Sequence, residues 1–535
     1  MNTVADAIAR TLLDAGIDVV FGLPGGEVVG VLDGLRRHGI RFVLVHNESA
    51  AVFMADGWSR VTGKPGVALT TLGPGATNAV AGAAHAYLDR APILIITAQI
   101  PERLHSHHTH QLVDLHALYG PISKGTFNIQ AGGAAETVRD SLRLAQQGRP
   151  GPVHLQIDKE TADLDATAGP SPIPPEATPP PVRYIADRVV VARDRLLRAK
   201  RPVILAGLGL EPERPYEALR ALAEAANAPV ITTPKGKGAL PDDHPLSAGT
   251  IGLTRADPVY EVLDEADCIV AVGLDVVELV KPWDQTAPLL WLAPWQNEDP
   301  AIAAEVELVG QMAPALQQLA DSDFVPDPAW GAARVRAFKD KVAQGTLPAP
   351  APNRLLPQTV FEAARAALPA EAAAAVDVGS HKIFGSLTWP TLRPNGFFVS
   401  NGLSCMGFAL PATIGASLAR PDQPVVCFTG DAGLSMVVGE LGVLAGLDLP
   451  VIVVVLNDAA IDLIRSHQVR SGYPVFGTEF TPPNFAQIGA AYGIASYRVA
   501  TEAELSETIR QAVASGRPAL IEAMIDPISY PTTPE

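Results

Sequence analysis

Asp431 and Asp458 are the residues whose type and placement first point to chemistry. Each follows a short apolar run, PVVCFTG (424–430) and VIVVVLN (451–457), that reads as a buried strand. Asp431 stands in the turn Gly430-Asp431-Ala432-Gly433, and Asp458 in Asn457-Asp458-Ala459-Ala460. The two lie about one strand–helix–strand unit apart, so adjacent parallel strands would set the turns side by side. Two carboxylates with nearby backbone carbonyls make a hard-oxygen site suited to Mg2+. The small residues Gly430, Ala432 and Gly433 let backbone N–H groups approach an anion at the start of a helix. The combination predicts a metal-bridged diphosphate. Two capping aspartates at ordinary strand–helix turns would give the same local pattern.

A second signal lies near the amino terminus. Glu48 follows the strand-like run FVLVH (42–46) and opens a helical pattern, ESAAVFMADGWSR. An acid in a first helical turn is also a favourable charge on the helix dipole. The turns Leu23-Pro24-Gly25-Gly26 and Gly73-Pro74-Gly75-Ala76-Thr77-Asn78 permit close approach of the backbone to a flat ligand. The tract HSHHTHQ carries His105, His107, His108 and His110. It has no acidic or cysteine partner, so a solvent-exposed loop accounts for it as well as a metal site does. In LIRSHQVRSGYPVFGTEF, the residues Arg465, His467 and Arg470 either meet a substrate carboxylate or are solvated charges on a helix.

Positioning these residues takes several domains. The chain has 535 residues, 47% hydrophobic and 18% charged, which excludes a disordered polymer and predicts three or four cores. A net charge of −17 disfavours nucleic acid as a partner. Cys268, Cys405 and Cys427 lack metal-ligand spacing and fit a reducing compartment. The opening segment carries Asp6, Arg10 and Asp14, and the apolar runs fall short of a membrane span. A soluble, cytoplasmic protein with no membrane partner is expected. Proline-rich stretches at 164–184 and around 324–330 and 345–357, the last two bracketing a short charged helical piece, divide the chain into blocks 1–163, 185–325 and 358–535. Each block alternates apolar runs with helical patterns: VALTT (67–71) and ILIITA (93–98); RPVILAG (201–207), APVITT (228–233) and ADCIVAVG (266–273); AAAVDVG (373–379) and ALIEAMI (519–525). The alternation predicts an α/β chain of three doubly wound parallel-sheet domains, with ligands at the strands' carboxyl ends. No G-x-G-x-x-G follows the first strand of any block, which disfavours an NAD-type dehydrogenase.

Seven segments in order resemble the thiamine diphosphate (ThDP)-dependent enzymes of the acetolactate synthase type, over nearly the whole chain. They are FGLPGGEVVGVLDGL, HNESAAVFMADGWSRVTGKPGV, TLGPGATNAVAGAAHAYLDRAPILIITAQI, HQLVDLHALYGPISK, DVGSHKIF, SNGLSCMGFALPATIGASLA and the GDAG…ND pair. The resemblance implies a pyrimidine-binding domain, a middle domain and a diphosphate-binding domain. It also implies active sites shared between subunits of a homodimer or dimer of dimers. By the same resemblance, Glu48 hydrogen-bonds the aminopyrimidine and Met406 supports the bent cofactor. Asp431, Asp458 and the Ala460 carbonyl hold Mg2+. Pro24, Gly25, Gly26, Pro74, Asn78, Ser380, His381, Gly430, Ala432, Gly433 and Ile461 complete the cofactor-binding set, although His381 is equally consistent with a surface histidine. Gln111, Lys124 and His110 fall near the reacting centre, with His110 where synthases commonly carry Phe. GDA replaces the family's GDG, and Asn-Asp its paired asparagines; both keep the turn and an oxygen ligand. Some acetolactate synthases bind FAD in the middle domain, but LDVVELV and LLWLAPWQNEDP lack the matching patterns, which argues against FAD. The implied activity is decarboxylation of a small 2-oxo acid with carboligation to a second carbonyl. The alternatives are a decarboxylase or C–C lyase without carboligation and, least favoured, a non-catalytic ThDP-fold binding protein.

Overall fold

A computed structural model describes residues 2–530 apart from 108, 174–185, 212, 252–253, 255–256, 279–282 and 345–347. His108 and most of the first proline-rich stretch therefore lie outside the described residues. The apolar runs form three six-stranded sheets in which every pairing between named strands is parallel. The first holds β1 (Val19–Leu23), β2 (Arg41–Leu44), β3 (Gly66–Thr70), β4 (Ile93–Gln99), β5 (Thr126–Asn128) and β6 (Val153–Asp158), in the order β2-β1-β3-β4-β6-β5. The second holds β7 (Pro202–Ala206), β8 (Val230–Thr232), β9 (Ser247–Thr250), β10 (Cys268–Val272), β11 (Leu289–Ala293) and β12 (Val306–Val309), in the order β12-β11-β10-β7-β8-β9. The third holds β13 (Ala373–Val376), β14 (Phe397–Val399), β15 (Val425–Gly430), β16 (Val451–Asn457), β17 (Ala495–Val499) and β18 (Ala519–Met524), in the order β14-β13-β15-β16-β18-β17. These are the three doubly wound sheets that the strand–helix alternation predicts.

Parallel strands bury both faces under crossover helices, which is why β4, β15 and β16 are apolar runs with every residue buried. Each sheet reverses its winding between two central strands: β1 and β3 in the first, β13 and β15 in the third. The crevices at those points are where a doubly wound fold admits ligands.

The first and third domains share one continuous hydrophobic core, whereas the middle domain packs its own. The join is a crossing of two helices, Glu48–Thr62 and Ala409–Ala419. A Cβ on Gly57 would lie 2.0 Å from the Ala412 carbonyl oxygen, and one on Gly415 1.9 Å from that of Met54. Backbone meets backbone there, so glycine is required on both helices. The crossing fixes the Glu48 helix against the domain that carries Asp431. Among the described residues, no helix is long and apolar enough to cross a membrane.

Candidate active site

The first half of the site lies at the winding reversal between β1 and β3. Asn47 caps the helix Glu48–Thr62, its Oδ1 accepting from the Ser49 and Ala50 amides at 2.9 and 3.3 Å. Glu48 is thereby the first helical residue, 5% exposed, and the Asn78 amide donates to its Oε2 at 3.1 Å. The Pro24-Gly25-Gly26 turn leaves β1 and packs on Thr71, which a Cβ on Gly25 would meet at 2.2 Å. Pro74 opens a short helix, Pro74–Asn78, on which Gly75 faces Glu48. The buried Tyr119 donates to the Ala76 carbonyl at 2.6 Å and stacks on His154 at 4.0 Å. Gln111, exposed with φ +58°, backs onto Gly73 and so lies beside this cluster; His110 precedes it, also exposed.

The second half is a cavity of about 170 Å³ in the third domain. Ser380, His381, Met406, Gly430, Asp431, Ala432, Gly433, Asp458, Ala460 and Ile461 all line it, so the third-domain part of the expected cofactor-binding set converges there. β15 delivers Asp431 and β16 delivers Asp458, and the strands are neighbours in register. Asp431 Oδ1 accepts from the Ala432 amide and Oδ2 from the Ala459 amide, both at 2.7 Å, which ties the two turns together. Ala459 takes φ +63°, a strained state for a residue with a Cβ. Burial raises the Asp431 carboxyl above its ordinary range. Asp458 is pushed up to about 7 by burial and then by the charges of Asp431 and Asp462. Carboxylates that repel one another in a buried crevice are what a divalent cation neutralises.

The residues fit the cofactor on a further observation. The buried His381 Nε2 has no hydrogen-bond partner among the described residues. Its ring lies over Gly379 and Gly430, where a Cβ would come within 2.6 and 3.0 Å of it. Burial holds this imidazole down to about 4, so it is neutral at pH 7. A neutral ring with an orphaned nitrogen lines the cavity beside the turn carrying Asp431.

Among the described residues, the cavity lining contains none from the first domain, Glu48 included. The halves nonetheless touch indirectly: Glu440, in the helix after Asp431, accepts from the His46 amide at 3.0 Å, two residues before Glu48. Other residues fall elsewhere. Lys124 precedes β5 and donates to the Gln147 carbonyl, at the opposite end of the sheet from Glu48, so it is not part of this cluster. Arg465 pairs with Asp462 at 2.6 Å, while His467 and Arg470 are exposed on the helix Asp462–Arg470. His105 is engaged with the Ile100 carbonyl at 2.8 Å.

Three residues of the site were not singled out by type or spacing. Asp377, fully buried, accepts from the amides of Gly407 and Phe408 at 3.0 and 3.1 Å and so holds Met406 in place. Asp462 accepts from Ser380 at 3.1 Å. Tyr530 closes the cavity from the carboxyl-terminal end. An acid before the glycine of DVGSH was the available signal for Asp377; the other two carry none locally.

Family comparison matches the geometry. Models of the thiamine pyrophosphate (that is, diphosphate) enzymes match at residues 2–118 for the N-terminal TPP binding domain, 189–319 for the central domain and 377–523 for the C-terminal TPP binding domain. The acetolactate synthase isozyme 1 large subunit of Escherichia coli is 32% identical, covering 99% of this chain and 96% of its own. The isozyme 3 large subunit of the same organism is 30% identical, over 98% and 95%. A probable acetolactate synthase large subunit of Methanococcus aeolicus is 29% identical, over 98% and 92%. The chain belongs to the thiamine diphosphate-dependent enzymes of the acetolactate synthase type.

Proposed function

We propose that this chain uses ThDP and Mg2+ to decarboxylate a small 2-oxo acid and join the remaining acyl unit to a second carbonyl, as an acetolactate synthase does. The observation that carries the proposal is the third-domain cavity, where two repelling carboxylates and an unpartnered neutral histidine face one another. When bound, ThDP supplies a carbon nucleophile that adds to the keto carbon and accepts the electron pair left when CO2 departs.

The residues divide the remaining work. Asp431, Asp458 and the Ala460 carbonyl would hold Mg2+, and Gly430, Ala432 and Gly433 would leave room for the diphosphate. His381 Nε2 and Ser380 face the same group, with Ile461 closing the wall. Met406 would support the cofactor, and Asp377 holds the backbone that follows Met406 through the Gly407 and Phe408 amides. Glu48, steadied by Asn78 and reached past the Pro24–Gly26 and Pro74 turns, holds a proton at the pyrimidine nitrogen. Gln111 and His110 lie where a second substrate enters, and the imidazole adds a donor and an acceptor to that wall.

Because Glu48 is not among the residues that line the cavity, we infer a homodimer, or a dimer of dimers, with each site built from two chains. We also infer a cytoplasmic enzyme without FAD. In the middle domain Glu278 accepts from the Leu208 amide at 2.7 Å and from Thr233 at 2.6 Å. That acid takes the backbone donor a nucleotide phosphate would use. The test is incubation of the ThDP/Mg2+-loaded protein with a panel of 2-oxo acids and mass analysis of products. A 2-hydroxy-2-alkyl-3-oxo acid is expected; aldehyde as the sole product would contradict carboligation.

A further inference from the structure

The loop from Ser400 to Met406 joins β14 to the helix Ala409–Ala419 and ends on the residue that lines the cavity. Its upstream half is held from outside its own domain. The Asn401 and Gly402 amides donate to Asp89 at 3.0 and 3.2 Å. The Ser400 hydroxyl accepts from the Cys405 amide at 2.9 Å and lies 2.9 Å from His85 Nδ1. Lys382 donates to the Ser400 carbonyl at 2.9 Å and to the Ser404 hydroxyl at 3.3 Å. Ser404 takes φ +55°, a backbone state that persists only where the surroundings enforce it. A Cβ on Gly402 would lie 2.8 Å from the Leu88 backbone, so the loop rests directly on the helix Val80–Leu88.

The groups behind the loop form a buried ionic cluster built by the first and middle domains. His85 is fully buried, with Nε2 3.0 Å from Asp56 and Nδ1 3.1 Å from Asp89. Arg60 pairs with Asp56 at 2.9 Å, and Lys235, after β8 of the middle domain, pairs with Asp89. Burial opposes a charge on His85, but Asp89 and Asp56 outweigh it and hold the imidazole above its ordinary pKa. Acids this deep require such partners, since an unpaired buried charge is strongly destabilising. None of these five side chains lines the cavity, so none can act on a bound cofactor by touch.

We propose that His85 and Asp89, backed by Lys235, are positioning residues that hold the Ser400–Met406 loop and thereby set Met406 beneath the cofactor. The middle domain then has a part in catalysis without contributing a residue to the site. The inference rests on the reading of Met406 as the support of the bend, so its test separates the two.

Two readouts serve, on His85→Gln, Ser400→Ala and Met406→Ala. Amide hydrogen exchange across 400–406 in the cofactor-free protein reads the loop itself. Exchange of the C2 proton of bound ThDP with deuterated solvent reads the bend, with cofactor affinity measured alongside. For His85→Gln and Ser400→Ala, loop exchange should quicken about tenfold or more. C2 exchange should slow about tenfold or more while ThDP affinity changes by under about threefold. Wild-type loop exchange in both variants would overturn the proposal, as would wild-type C2 exchange in both while Met406→Ala is slow. If Met406→Ala itself exchanges C2 normally, the reading of Met406 falls, and loop exchange alone decides the clamp. If His85→Gln does not fold, Ser400→Ala decides, since it removes one hydroxyl and no charge.

Discussion

Folding takes Glu48 out of water and sets the Asn78 amide against it, and the proposed function has this carboxylate meet the cofactor's pyrimidine. Glu48→Gln keeps size and hydrogen bonding but cannot supply that carboxylate. Turnover should fall roughly 100-fold or more with the fold and ThDP binding intact. Near-normal turnover would remove Glu48 from its role. Two residues upstream, the His46 amide donates to Glu440, whose carboxyl burial pushes up to about 7. The native state therefore holds that proton where the unfolded chain, with a glutamate near 4.5, has released it. This group's contribution to stability is present below pH 4.5 and is lost as pH rises through 7. Glu440→Gln keeps an oxygen acceptor for His46 and removes the titration. Denaturant unfolding at pH 5 and pH 8 should show the wild type losing roughly 1–3 kcal/mol more than the variant across that interval. Equal pH dependence in the two proteins would place the Glu440 carboxylate in contact with solvent.

Among the elements, the crossing of Glu48–Thr62 with Ala409–Ala419 leaves little room for change. Its close contacts are backbone on both sides, so no side chain can turn aside. Gly415→Ala should lower unfolding free energy by about 3 kcal/mol or more, measured in denaturant. A loss under about 1 kcal/mol would mean that the helices part freely. The same elements mark what can be read from sequence. β4, β15 and β16 are long apolar runs because both faces are buried, and they stand out without any structure. β5, β14 and β17 are not legible, because these edge strands are only three residues long (β5, β14) or mostly not buried (β17). Asp431 and Asp458 are legible because they follow such apolar runs within turns of small residues. Asp377 and Asp462 are the same residue type in similar turns, and only the third dimension shows that one holds the Met406 backbone and the other Ser380. Lys124 fails for the converse reason: a matching motif does not reveal at which end of the sheet the residue lies.

At the scale of the whole molecule, the cavity that holds Asp431 and Met406 is lined by the third domain, and Glu48 lies in the first. Leu403, Met436, Ile461 and Ile464 are exposed around or near the third-domain cavity, and Val29 and Leu44 are exposed in the first domain. Apolar side chains in such positions suit contact with a second copy of the chain. On the proposed function, Glu48 of one chain works with Asp431 of another. The direct test mixes two inactive variants, Glu48→Gln and Asp431→Ala, after dissociating and reassociating the subunits. Each mixed dimer would hold one site with both residues intact and one with both altered. Random pairing makes about half the dimers mixed, so activity should recover to about a quarter of wild type. No recovery above either variant alone would contradict the account and place both residues in a site within one chain.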